Sequence, residues 1–515
     1  MTQGILPFKY ETEKKESGMT ALTGLPIYLD LARVIGLSKS IEKHMKIREN
    51  SQGWTDLQMV LAIVLLNIAG GNKVSDLKTL EADAGFCKVL GKAECHGLKR
   101  KVRRALERRW RKEKKRTIPS SSAVFRYLSA FHDAGQEEER ERSNIKAFIP
   151  APNAHLKGLM QINRDMLSSL QFQRPEAVAT LDMDATLIET NKKEASYCYK
   201  KFKAYQPINV YWAEQEVIVH SEFRDGNVPA GYEQLRVLKD ALEHLPTGVE
   251  KVRLRSDTAG YQHNLLAYCE MAEHKRFGKI EFAIGANVTR DFKKAVAQIE
   301  DAEWKPLYKA IGGRQINSDT EWAEVCYVPN KIGHSKNGPE YRYIAKRQVL
   351  AEQLELPGMS ETAEPDNFPF PTLSMKSKRY KLFGIVTNIS EKDMAGGDII
   401  HWLHKRCGKS EAIHAAMKED LAGGTLPSGD FGANAGWWGM MILALNLNAI
   451  MKKLALGESM VNSRMKAIRF TIINIPGRVI KRSRSLILRL SMNHPSFDLL
   501  IEARQRIARI QQEPG

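Results

Sequence analysis

The amino-acid sequence predicts an α/β protein: a mixed sheet with a β-rich insertion, preceded by a helical domain. Three observations lead there. Apolar runs of strand length alternate with amphipathic runs of helix length between residues 176 and 300. Residues 24–97 carry apolar side chains at steps of three and four, punctuated by Gly53 and Gly70-Gly71. From Trp304 to about Ile389 the pattern changes to strands separated by a Pro-rich loop, Leu356 to Thr372.

In chain order, residues 1–23 read as a polar tail, and Met1 to Ser17 has no apolar stretch of the kind a signal peptide needs. Residues 24–135 form the predicted helical domain, with helices in Ile27–Leu37, Asp56–Ile68 and Val74–Leu80. Its last part is strongly basic: Lys99 to Arg116 holds twelve Lys or Arg in eighteen residues. A charge run is ordinarily a solvated helix face. This density, with Trp110 inside it, favours phosphate contact, since each cation releases counterions from a nucleic acid. Arg100, Arg103, Arg104, Arg108 and Arg111 are the candidates, which makes this a DNA-binding domain. Ile118 to Phe131 follows as a helix with serines at its N-cap and is a candidate recognition helix.

Residues 136–175 are a linker and a helix, closed by Arg174-Pro175. The strand Val178 to Thr190 then places Asp182 and Asp184 two residues apart, on one face. Paired carboxylates on a core strand are expensive unless they meet a cation, share a proton or hold a metal. Strands are expected at Lys201–Gln215, Val217–Phe223, Val252–Ser256 and Ile280–Ile284, and helices at Tyr232–Leu245 and His263–His274. Asp257 ends the fourth strand, before a Gly turn, where α/β sheets place their sites.

The segment 301–390 is expected to hold strands at Glu321–Val328, Tyr341–Val349 and Tyr380–Asn388. Lys378 and Arg379 lie in its basic cluster, and Trp304, Trp322 and Tyr327 are candidates to stack on an unpaired base. In residues 391–456, Gly396-Gly397-Asp398 opens a long helix that runs to Gly423-Gly424 with Asp398 as N-cap. Its register puts His404, Cys407, Glu411, His414 and Lys418 on one face. Histidines 401, 404 and 414 lack the thiolate partner and spacing of a zinc site. Ala433 to Leu456 is densely apolar but interrupted by asparagines, so a buried core helix is expected there in place of a membrane span, with Trp437 and Trp438 packed inside. Residues 457–515 are read as basic strands over Met465–Ser491 and a helix over Ser496–Ile510.

The net charge of +18 on 515 residues, with a normal apolar share, describes a folded protein with a basic surface. Nucleic acid is the favoured partner class, with no membrane. Six scattered cysteines with no Cys-x-x-Cys pair fit neither a disulfide framework nor a zinc ribbon, and point to reduced thiols in the cytoplasm.

A carboxylate of the first strand, Asp182 or Asp184, together with Asp257 and Glu411 could hold a pair of hard cations about 3.5 to 4 Å apart, the arrangement for in-line phosphoryl displacement. Lys418 would contact phosphate. The order Asp-x-Thr (Asp184 to Thr186), Arg-Ser-Asp-Thr-Ala-Gly-Tyr around Asp257, a β-rich insertion, then Glu411 and Lys418 separated by six residues resembles the DDE transposases of bacterial insertion sequences. It is most similar to the branch whose helix signature is Tyr, Arg, Glu, Lys; here His404 stands at the Tyr place and Cys407 at the Arg place, with Arg406 one residue early. The resemblance implies an RNase H-like catalytic core and a pair of Mg²⁺ or Mn²⁺ ions held by Asp184, Asp257 and Glu411, with Asp182 in reserve. It also implies binding to terminal inverted repeats and target DNA, a homodimeric synaptic complex, strand cleavage and strand transfer, and a place at the bacterial nucleoid. Two rival readings stand beside it. Leu-Asp-Met-Asp-Ala-Thr also matches the Asp-x-Asp-x-Thr loop of haloacid-dehalogenase-like phosphatases, with Asp182 as nucleophile and Asp184 as acid/base. The other is a DNA-binding protein without catalysis.

Overall fold

The computed structural model describes residues 18–48, 53–105, 116–142, 147–311, 314–329, 340–350, 368, 370–375, 378–483 and 485–510. Its centre is a ten-stranded mixed sheet. We number its nine in-line strands β1 (Val178–Ala185), β2 (Ile208–Trp212), β3 (Val217–Glu222), β4 (Lys251–Ser256), β5 (Glu281–Ala286), β6 (Lys305–Ile311), β7 (Arg314–Val325), β8 (Arg342–Val349) and β9 (Lys378–Thr387). Their spatial order is β3-β2-β1-β4-β5-β9-β8-β7-β6, and the short strand Thr372–Met375 pairs with β9.

β1, β2 and β3 form an antiparallel meander, and β4 and β5 join parallel to β1. Parallel neighbours need crossovers, and the amphipathic helices Gln234–His244 and His263–Glu270 supply them. β1 is apolar because it is central: Ala179, Leu181 and Met183 are fully buried between β2 and β4. β9 adds to the free edge of β5, Gly384 opposite Ala286, so the strands after Trp304 extend this same sheet.

The helix Phe431–Met451 is the axis of the helical half. Helices Asp56–Ala69 and Ala154–Gln173 pack against it, as does β3. It is apolar on every side because it is enclosed on every side, with Trp437 and Trp438 at most 1 % exposed. The asparagines that interrupt its apolar run are hydrogen-bonded. Asn446 accepts from Ile218 N (2.8 Å) and donates to Asn163 Oδ1 (2.7 Å), while Asn448 accepts from Tyr28 OH (2.8 Å). Among the described residues, Phe431–Leu456 is the one continuous helix long and apolar enough to cross a membrane, and it fills the core.

Four expectations about elements need correction. The long helix after Gly396 is broken: one helix covers Gly396–His404, a second Lys409–Ala415, and a π-helical turn Ala416–Asp420. Gly408, at φ +79°, makes the break, in a region that side chains disfavour. Asp398 lies in the first turn instead of capping it; the N-cap is Ala395, and Trp322 packs so close to the next residue that a Cβ on Gly396 would lie 2.3 Å from its ring. Met465–Ile473 is helical, with strands only at Gly477–Arg482 and Ser485–Arg489. The strand expected from Lys201 is two pieces, Ala204–Tyr205 and β2, since Pro207 between them has no N–H to give a ladder.

Candidate active site

Asp182 and Asp184 leave β1 on the same face and meet different partners. Asp182, 1 % exposed, accepts from Arg255 Nε (2.6 Å) and Nη2 (2.7 Å), the two-pronged geometry of a guanidinium on a carboxylate. Arg255 is opposite Asp182 in the parallel β1–β4 ladder, and its Nη1 donates to Trp402 O (2.7 Å). Burial raises the Asp182 carboxyl above its ordinary range, and the Arg255 fork works against that rise by stabilising the ionised form. With both oxygens committed to Arg255, Asp182 is unsuited to act as a nucleophile, and the phosphatase reading is not favoured.

Asp184 sits two residues on, where β1 runs out towards solvent, with its side chain 24 % exposed. Arg406 Nη1 lies 3.0 Å from its Oδ2. Desolvation raises the Asp184 carboxyl; Arg406 lowers it and Glu411 raises it again. Asp257, at the carboxyl end of β4, is within electrostatic reach of both Arg406 and Asp184, and its Oδ1 accepts from Ala259 N (3.0 Å). The three carboxylates proposed from sequence therefore come from β1, the end of β4 and the Lys409–Ala415 helix, and Asp184 lies within electrostatic reach of the other two.

The broken helix decides which residue faces this cleft. A continuous helix would aim Cys407 at the carboxylates. The left-handed turn at Gly408 changes the phase, so Arg406 is directed inward and Cys407 is exposed. His404 faces the sheet extension, its Nε2 3.3 Å from Lys346 Nζ. Lys418, in the π turn, donates to Leu187 O (3.4 Å), three residues beyond Asp184.

Sequence reasoning missed a polar chain behind the cleft. Asn209 is opposite Asp184 in the β1–β2 ladder; His414 Nε2 lies 3.5 Å from its Nδ2. Its Oδ1 accepts from Ser221 Oγ (2.7 Å), which in turn accepts from Trp438 Nε1 (2.8 Å). Burial, with Lys418 and Arg406 nearby, pushes the His414 imidazole down to about 4. Alternation along β2 and β3 puts Asn209 and Ser221 on inward faces, but only the ladder register shows that they meet.

Other candidates fare differently. Trp304 and Trp322 are 6 % and 7 % exposed, with Arg347 and Lys305 over their rings, so neither can receive a base; Tyr327 is packed edge-on against Phe292 and Tyr343. Arg100, Arg103 and Arg104 are exposed on a helical stretch, 100–105, whereas Arg108 and Arg111 lie outside the described residues. Lys378 and Arg379 are exposed at the start of β9. Among the described residues, the one set of His, Cys, Asp and Glu ligand atoms gathered within 4.8 Å is elsewhere, at His220, Glu222 and Asp240, where Arg236 pairs with both carboxylates.

A donor set made only of carboxylates suits a hard divalent cation. Two carboxylates, Asp184 and Asp257, stand at the carboxyl edge of the sheet, where α/β folds place their sites, with Glu411 within electrostatic reach of Asp184, in a strongly basic chain. Residues 11–512 match the family described as Transposase DDE domain group 1, and the chain belongs to that family. It is a DDE-type DNA transposase, an enzyme whose family binds DNA and uses divalent metal ions. No curated protein matches the chain. Among solved structures it is similar to "Cryo-EM structure of piggyBac transposase synaptic complex with hairpin DNA (SNHP)", at 11% identity and a TM-score of 0.39, covering 96% of this chain and 86% of that one.

Proposed function

We propose that this transposase binds the terminal inverted repeats of a bacterial insertion sequence and carries out strand cleavage and strand transfer at Asp184, Asp257 and Glu411. The observation that supports this reading is the pairing of Arg406 with Asp184, with Asp257 and Glu411 within electrostatic reach of Asp184. The strand order β3-β2-β1-β4-β5, antiparallel then parallel, supports an RNase H-like core.

A pair of Mg²⁺ or Mn²⁺ ions would be held by Asp184, Asp257 and Glu411 and would lower the pKa of the attacking hydroxyl and stabilise the leaving oxygen. The chain's own residues do the rest. Arg406 neutralises Asp184 in the free protein and is placed to turn to a phosphate once cations take the carboxylate. Lys418 holds the turn after β1 through Leu187 O and carries a positive charge to the cleft edge. Arg255 keeps Asp182 ionised and β1 in register with β4. Arg100, Arg103 and Arg104, together with Arg108 and Arg111, supply phosphate contacts from the N-terminal helical domain, and Lys378 and Arg379 supply them from β9. His404 lines the same side. The working species is a homodimer pairing two element ends in the cytoplasm, at the nucleoid.

The test is a nicking and joining assay on DNA carrying the inverted repeats that flank the coding frame. The expected result is divalent-dependent cleavage at the element ends, lost in Asp184→Asn with end binding retained. Sequence-specific binding without cleavage at any divalent concentration would sink the enzymatic reading of this cleft.

A further inference from the structure

Between β1 and β2 the chain makes a hairpin, residues 188–205, that the proposed chemistry does not use. Its ladder pairs Ile188 with Tyr205 and Glu189 with Ala204. It leaves the sheet immediately after Asp184 and returns immediately before Asn209, the residue opposite Asp184, so both of its ends are anchored at the cleft. Lys418 donates to its first turn, at Leu187 O.

Its tip presents Tyr197 and Tyr199 at 65 % and 73 % exposure, the two most exposed tyrosines among the described residues. Ala195 and Cys198 are buried beneath the tip, whereas the rings of 197 and 199 stand on its outer side. Three exposed cations, Lys193, Lys200 and Lys201, are interleaved with them, and Lys200 and Lys203 lie over the Tyr199 and Tyr197 rings at 5.7 and 5.9 Å. The tip is also held in place. Tyr197 bridges Lys203, Cys198 N donates to Phe202 O (2.9 Å), and Ser196 gives both its N–H and its hydroxyl to Asp225 (3.0 and 2.8 Å), which is itself paired with Arg140. The backbone of the tip is fixed while its two tyrosine rings stay exposed, which makes it a pre-formed surface.

We propose that this hairpin is a platform for unpaired nucleotides of the DNA substrate next to the cleft, with Tyr197 and Tyr199 stacking on bases and Lys193, Lys200 and Lys201 meeting phosphates. It rests on the transposase reading, since a cleft that opens DNA ends needs somewhere to hold the strand it frees. Rings stack on any base, whereas a paired duplex hides base faces, so the platform should prefer single strands.

The test uses the full chain in EDTA, with fluorescence anisotropy of a labelled oligo-dT of about 15 nucleotides and of a duplex of equal length. Replacing Tyr197 and Tyr199 together by Ala should weaken oligo-dT binding about 10- to 100-fold and duplex binding less than about threefold, and Tyr197→Phe with Tyr199→Phe should restore it. Lys193, Lys200 and Lys201 changed together to Ala should lower the salt slope for oligo-dT by about 2. Equal affinity of the double-Ala variant and the wild type for oligo-dT overturns the platform, as does a loss of the same size on both probes. A change confined to self-association by sedimentation overturns it too, and assigns the tip to a second copy. Without metal no strand is cleaved, so binding to the platform is read apart from the proposed catalysis. A protein that cleaves normally but shows no single-strand preference keeps its catalytic site and loses the platform.

Discussion

Two aspartates, two residues apart on one face of one strand, have opposite fates. Asp182 is enclosed and gripped by Arg255 through two short hydrogen bonds; Asp184 stands at the open end of β1, where it meets Arg406 and the Ala185 backbone. The chemistry of each pair is the same, an arginine on a carboxylate. The setting differs. A buried, bidentate pair has nowhere to go, because separating it strands two charges in the core. The pair at the cleft is partly solvated, so Arg406 can leave Asp184 when something better arrives. On the proposed reading the first pair is structural and the second exchangeable, and that contrast can be attacked experimentally.

The largest expected effect is on activity. Asp184→Ala, Asp257→Ala and Glu411→Ala should each reduce strand cleavage by about three orders of magnitude or more, as the loss of several kcal/mol of metal-borne stabilisation requires. End binding and thermal stability should stay near wild type; retained transfer in any one of them removes that residue from the metal set. The next largest effect is on stability. Asp182→Ala should cost about 3–5 kcal/mol in denaturant unfolding, because it leaves Arg255 buried and unpaired, while Asp182→Leu combined with Arg255→Met should cost clearly less than the single change. If the single variant were as stable as wild type, the contrast drawn above would collapse.

A third prediction concerns the second arginine. Arg406→Ala should slow cleavage about 10- to 100-fold, the size of a lost hydrogen bond to a charged group, with little effect on unfolding. Cys407→Ala, one residue further, should do almost nothing to either, and the opposite result would restore the unbroken-helix register.

The smallest effect is on pH dependence. His220, His244 and His414 are held neutral, with imidazoles pushed down to about 3, 4 and 4 mainly by burial. The unfolded chain takes up protons at these groups below about 6.5 and the folded chain does not until pH 3 to 4. Stability must therefore fall as pH drops from about 6.5 towards 4, with more protons bound in the unfolded state. Changing His220 to Asn should flatten that slope by up to one proton, measured by urea unfolding across the range. An unchanged slope would show that His220 does not titrate differently in the two states.

The proposed site is drawn largely from residue order. Asp184 and Asp257 are visible as carboxylates on or just after apolar strands, and Glu411 and Lys418 are visible through a spacing that a family shares. The base-stacking residues were misjudged because aromatic side chains in a strand-rich segment look alike whether exposed or covered. Trp304 and Trp322 are covered by Arg347 and Lys305, from strands that sequence alone cannot place beside them. Tyr197 and Tyr199, in a loop of lysines, were passed over for the same reason reversed.

Local chemistry determined the apolar strands, the amphipathic crossovers, the asparagine-interrupted core helix and the paired aspartates, because each depends on side chains near in sequence. Tertiary structure decided which aspartate became a core ion pair and which faced the cleft. It did so through the β1–β4 register, which sets Arg255 opposite Asp182, and through the backbone break at Gly408, which turns Arg406 towards Asp184. Both depend on where distant segments lie relative to one another, and no spacing along the chain encodes that distance.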